Sequence, residues 1–158
     1  VTELTFVTDH VSDISPVRQL TGLQTLSCAG SGTGTGKLSD LRPLTGMSLT
    51  VLLIMNTQVS DLAPLRGMPL THIDLWNTPV SDLAPLQGMK LSLLQCGSTH
   101  VVDLSPVEGM PLTRIIFDFH PERDIEFLRS IKTLELINSK PPAAFWSEVD
   151  AQHKGKKP

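Results

Sequence analysis

Three consecutive stretches of this chain decide its reading: LTVLLIMNTQVSDLAPLRGMP (49–69), LTHIDLWNTPVSDLAPLQGMK (70–90) and LSLLQCGSTHVVDLSPVEGMP (91–111). They are near-copies of one 21-residue unit, and self-similarity at such a period marks a chain built by stacking. Working outward, LTRIIFDFHPERDIEFLRSIK from Leu112 is a sixth, degenerate unit, and IKTLELINS from Ile131 begins a partial seventh. Toward the N-terminus, the unit from Leu23 carries an insertion of about five residues in a Gly-rich stretch, and VTELTFVTDHVSDISPVRQLTG from Val1 has one extra residue. The units therefore start at residues 1, 23, 49, 70, 91 and 112.

Each unit opens Leu-x-x-Leu-x-Leu-x-x-Thr, as in Leu49, Leu52, Ile54 and Thr57. The alternation within it predicts a short strand with one face buried. Thr57, Thr78 and Thr99 are placed to hydrogen-bond the backbone as the chain leaves that strand. The second half, Val-Ser-Asp-Leu-x-Pro-Leu-x-Gly-Met, reads as a one-turn helix. Ser60 or Asp61 caps it, Pro64 suits its first turn and Gly67 ends it. A single unit cannot bury its apolar side, but stacked units can, with strands forming a parallel sheet on one surface and helical turns on the other. Six rungs at ~4.8 Å span roughly 30 Å.

On these residues the chain resembles leucine-rich repeats of the SDS22-like or internalin type, whose units carry a similar DLxPL half. It is similar in particular to the short VSDLSPLxGMPLT repeats of multidomain proteins from planctomycete-type bacteria, several of them described as serine/threonine protein kinases. The ending FDFHPERDIEFLRSIKTLELINSKPPAAFWSEVD resembles the C-terminal segment of that group. The resemblance implies an α/β leucine-rich-repeat solenoid, a horseshoe segment with the sheet on the concave face and helical turns on the convex face. It also implies a bacterial signalling context for a longer parent protein.

A solenoid must cover its last rung. PERDIEFLRSIK predicts a longer helix with Ile125, Leu128 and Ile131 on one face. Pro141 and Pro142 open another, running to about Asp150, with Phe145, Trp146 and Val149 apolar. The expected organisation is a repeat domain over 1–138 and a C-terminal capping helix with a basic tail (Lys154, Lys156, Lys157) over 139–158. Val1 lies in register within a repeat, without a leader or a cap before it, so the chain reads as a segment of something longer.

Composition narrows the function classes. Among 158 residues the net charge of −3 offers no basic field for nucleic acid, and no apolar run is long enough to span a membrane. The Gly-rich run from Gly30 to Lys37 fails as a phosphate loop, because Ser31 stands where the first glycine belongs and Leu38 follows the lysine. It also fails the dinucleotide spacing at Thr35, which leaves a flexible insertion. Kinase motifs are missing; Asp118-Phe119-His120 is a near miss whose third residue is wrong. Cys28 and Cys96 both take the sixth place of their units, three rungs or ~14 Å apart, too far for a disulfide. They read as buried thiols. The five histidines have no zinc-binding spacing. The chain is therefore read as having no catalytic site, cofactor or metal of its own.

The third, fifth and seventh places of each unit point away from the core. In the middle units these are Val51, Leu53 and Met55; His72, Asp74 and Trp76; Leu93, Gln95 and Gly97; and Arg114, Ile116 and Asp118. Val51, Leu53, Met55, Trp76 and Leu93 are expected to form one apolar patch edged by His72, Asp74, Gln95 and Arg114. Such patches mark contacts, and Trp and Arg are frequent anchors. The function expected is protein–protein interaction through this face, with a protein partner and with self-association open. The alternatives are a structural spacer without a ligand, or a small-molecule site at the His72–Asp74 pair.

Overall fold

The computed structural model describes residues 1–154; Lys156 and Lys157 of the basic tail lie outside them. Seven short parallel strands form a single sheet in chain order: β1 (Glu3–Thr5), β2 (Thr25–Ser27), β3 (Val51–Leu53), β4 (His72–Asp74), β5 (Leu93–Gln95), β6 (Arg114–Ile116) and β7 (Leu136–Ile137). The register follows the repeat: Glu3, Thr25, Val51, His72, Leu93, Arg114 and Leu136 stand side by side. The seventh rung is thus in phase with Leu134, three residues after the Ile131 at which the pattern resumes.

The leading residues of the units make the core. Leu23, Leu49, Leu70, Leu91 and Leu112 form one buried column, and Leu26, Leu52, Ile73, Leu94 and Ile115 form the next. Cys28, Ile54, Leu75 and Cys96 form a third. Each side chain is closed off by its counterparts above and below, which is why a three-residue strand suffices.

The returning half is a 3-10 turn in five units, for example Ala63–Leu65 and Ala84–Leu86. Neither Ser60 nor Asp61 is the N-cap, which is Leu62; the aspartate one residue earlier ties the entry instead, Asp61 Oδ1 accepting the Ala63 N–H at 2.8 Å and Asp82 Oδ1 the Ala84 N–H at 2.7 Å. Asp13, Asp40 and Asp103 repeat the bond. Gly67 follows at φ 74°, a conformation costly for any residue with a Cβ. On the other corner, the Thr57, Thr78 and Thr99 hydroxyls donate to the carbonyls of Ile54, Leu75 and Cys96 at 2.6–2.7 Å.

In the sixth unit the 3-10 turn gives way to helix α1 (Pro121–Ser130). The Asp124 carboxylate accepts the His120 N–H at 2.7 Å, fixing the helix start, and Leu128 faces the core. After β7 the chain reverses through Asn138 and Ser139, both at positive φ, and pairs Ile137 with Lys140 antiparallel. Helix α2 (Pro142–Lys154) then folds onto the last rung. Phe145 and Val149 are buried, and Phe119, Phe145 and Trp146 meet edge to face at 5.0 and 5.2 Å between centroids. Arg129 lies over the Trp146 ring at 4.7 Å. No helix among the described residues is long and apolar enough to cross a membrane.

Cys28 and Cys96 are 0% and 2% exposed, free, and burial pushes both thiols up to about 12. A thiol-reactive chromophore at pH 8 is therefore expected to label neither cysteine in the native protein and both after denaturation in guanidinium. Prompt labelling of the native chain would contradict this packing.

Candidate functional site

The sheet face opposite the core carries the third, fifth and seventh residues of the units. Val51, Leu53 and Met55 on β3 and its continuation are half-buried, as are Leu93 and Gln95 on β5. His72 is half-buried, Arg114 is exposed, and Trp76 is the large apolar residue most exposed on this face between β3 and β6, at 39%. The structure thus gathers Val51, Leu53, Met55, His72, Trp76, Leu93, Gln95 and Arg114 on adjoining strands. A hollow of about 180 Å³ beside them is lined by Leu93, Gln95, Arg114, Ile116, Leu136 and Ser139.

Trp76 owes its position to a glycine on the next rung. A Cβ built on Gly97 would meet the six-membered ring of Trp76 at 2.3 Å, nearer than any real contact. The indole therefore lies across the backbone at Gly97, the seventh place of one unit resting on the seventh place of the next. The repeat pattern puts both residues on this face without pairing them. The signal was there: a large side chain and a missing one at the same place in neighbouring units.

Asp74 departs from expectation. It does not edge the apolar patch but sits within it, 3% exposed, in register between Leu53 and Gln95. Its Oδ1 accepts the Trp76 backbone N–H at 2.9 Å, and it joins no ion pair among the described residues. Burial raises its pKa above the ordinary 3.8, with the Trp76 N–H opposing. His72 does not bond to it. The His72 Nδ1 instead meets the Thr71 hydroxyl at 2.8 Å, so the two side chains share a face without forming an acid–base couple.

The backbone rim beside this face adds contacts that the repeat pattern does not announce. Asn56, Asn77 and Ser98, in the eighth place, all have positive φ, and the Asn77 side-chain amide donates to the Asn56 Oδ1 at 2.8 Å. The Gly-rich insertion is held rather than loose. Its Ser31 N–H and Thr35 hydroxyl donate to Asp9 Oδ1 at 2.9 and 2.8 Å, and the Ser31 hydroxyl donates to Asp9 Oδ2. These bonds hold the Asp9 carboxyl below its ordinary value. The neck of the loop is pinched at Gly30 and Gly36, where an added Cβ would meet Asn56 O at 2.4 and 2.7 Å. Among the described residues no His, Cys, Asp or Glu cluster is arranged to hold a metal.

No protein-family model matches the chain, and no curated protein does. Solved structures do. An internalin (inlF) from Listeria monocytogenes superposes with a TM-score of 0.69 at 23% identity, over 87% of this chain and 47% of that one. Internalin C2 (inlC2) from the same organism gives 0.60 at 27% identity, over 68% of this chain and 47% of that one. The chain thus spans about half the length of either. Its fold is that of the internalin leucine-rich-repeat solenoid: an open parallel sheet on the concave face, short 3-10 turns behind it and a C-terminal helical cap.

The raised pKa of Asp74 makes a signed prediction. The folded state holds this proton more tightly than the unfolded state, so the site's contribution to stability is greatest below pH 3.8 and is lost as pH rises through the folded pKa. Asp74→Asn keeps the acceptor for Trp76 and removes the charge. Relative to wild type, its stability in urea melts is therefore expected to improve between pH 4 and pH 7. A pH-independent difference would show that Asp74 is not desolvated.

Proposed function

We propose that this chain is a protein-recognition module whose concave sheet face binds a protein partner. The carrying observation is Trp76: an aromatic side chain seated on Gly97, 39% exposed, with half-buried aliphatic residues beside it. A seated indole loses little conformational freedom on binding, and apolar surface around it returns free energy when covered, at about 25 cal/mol per Å². Arg114 at one side adds the other residue type common among interface anchors. The similarity to internalin solenoids agrees with a binding role. The wider setting, a bacterial signalling protein with a serine/threonine kinase elsewhere in it, rests on the sequence resemblance alone.

The test is affinity capture with quantitative mass spectrometry from a bacterial lysate, using three forms of equal circular dichroism. These are the native chain, a Leu53→Glu, Trp76→Ala variant, and a control altered outside the strands at exposed Arg66 and Gln87, the residues that follow two of the 3-10 turns. A protein retained by the native chain and the control, and reduced tenfold or more by the concave variant, is the expected result. That tenfold corresponds to about 1.4 kcal/mol, a modest loss for an aromatic anchor. Equal capture by all three forms, or none, would favour a spacer.

A further inference from the structure

We propose that Asp74 and Trp76 form a seat for one basic side chain, lysine or arginine, carried by a partner segment whose neighbouring residues are apolar. The proposal rests on the recognition reading above and adds the chemistry of the occupant. Asp74 is a carboxylate sunk in the concave face, with a single backbone N–H as its hydrogen-bond donor and no counter-ion among the described residues. Its register neighbours Leu53 and Gln95 are uncharged. His72 shares its strand and its face but is engaged by Thr71. The nearest cation along the sheet, Arg114, stands two strands away, ~10 Å by strand spacing, and is exposed. A carboxylate so placed has lost water without gaining a cation, and a cation supplied from outside offsets that loss.

Trp76 supplies the second half of the seat. It is two residues along the same strand direction, so its side chain leaves from the same face ~6.6 Å away. Gly97 holds one side of the ring and leaves the indole accessible to the concavity. An ammonium or guanidinium group lying on an indole gains from the ring quadrupole, and arginine does so most often. A single long basic side chain spans both partners. An acidic side chain would meet like charge at Asp74, and a neutral donor would leave the charge uncompensated. Val51, Leu53, Met55 and Leu93 around the pair suit apolar residues on either side of the base.

The experiment is an NMR titration of the whole chain with two capped tripeptides, leucyl-arginyl-leucine and leucyl-citrullyl-leucine. Citrulline keeps the shape of arginine and lacks its charge. The chain has two tryptophans, so the Trp76 indole N–H reports on the seat and that of Trp146, in the cap, is the internal reference. The arginine peptide is expected to shift the Trp76 signal with a Kd about five- to tenfold lower than the citrulline peptide. The difference is expected to vanish in Asp74→Asn, and Trp146 should not respond. Equal response to both peptides, or a difference that survives Asp74→Asn, overturns the basic seat. If that equal response is lost with Leu53→Glu, the recognition face itself stands. If neither peptide moves Trp76 the seat is overturned as well, and the capture experiment decides the recognition reading independently.

Discussion

A rung of this solenoid has an apolar side that only another rung can cover, and every other feature of the structure answers to that constraint. A three-residue strand and a single 3-10 turn enclose no core of their own. Stacked in register, they place apolar side chain on apolar side chain along three columns, with Leu26, Leu52, Ile73, Leu94 and Ile115 as the central one. A slip of one residue would carry such a column to the solvent face, so the 21-residue period is enforced by burial rather than by any single bond. Caps and turns follow from it. The Asp61-type bonds and the Thr57-type hydroxyls satisfy backbone groups at the two corners where stacking leaves them without a ladder partner.

The same register builds the concave face. Because the columns lock β4 against β5, the Trp76 ring lies on Gly97, and Asp74 is enclosed between Leu53 and Gln95. Neither arrangement belongs to one rung. A large ring needs a rung beside it without a side chain, and a carboxylate becomes buried only when the neighbouring strands bring bulk to its level. The C-terminal end obeys the constraint differently. There α1 replaces the 3-10 turn, the Asn138–Ser139 turn reverses the chain, and Phe145 and Val149 cover the rung that has no successor.

How much of this was legible in the sequence depended on whether a feature repeats. Strand positions, the core columns, the buried cysteines, the glycine stops and the capping helix all follow from the period or from the need to close it. The residues of the concave face were also legible as positions. Their relations were not. Asp74 reads as a polar rim residue because charge predicts exposure, and its burial arises from Leu53 and Gln95, residues contributed by other units. The pairing of His72 with Asp74, suggested by their spacing, gives way to Thr71, the neighbour nearer to the imidazole. The Gly30–Lys37 insertion reads as loose from its composition, but Asp9, in a preceding unit, ties it down. The period gives each place its address but not which particular side chains meet there from one rung to the next.

The claim on which all of this turns is that one stacking register both closes the core and seats Trp76 on Gly97. The chemical shift of the Gly97 Hα protons in the native chain measures it directly, since an indole held over that carbon shields them. The account predicts Gly97 Hα resonances well upfield of the usual glycine range, returning to it in Trp76→Leu while the strand amides stay put. Ordinary Gly97 shifts in a folded chain would mean that the ring is not seated and that β4 and β5 do not present this face as described.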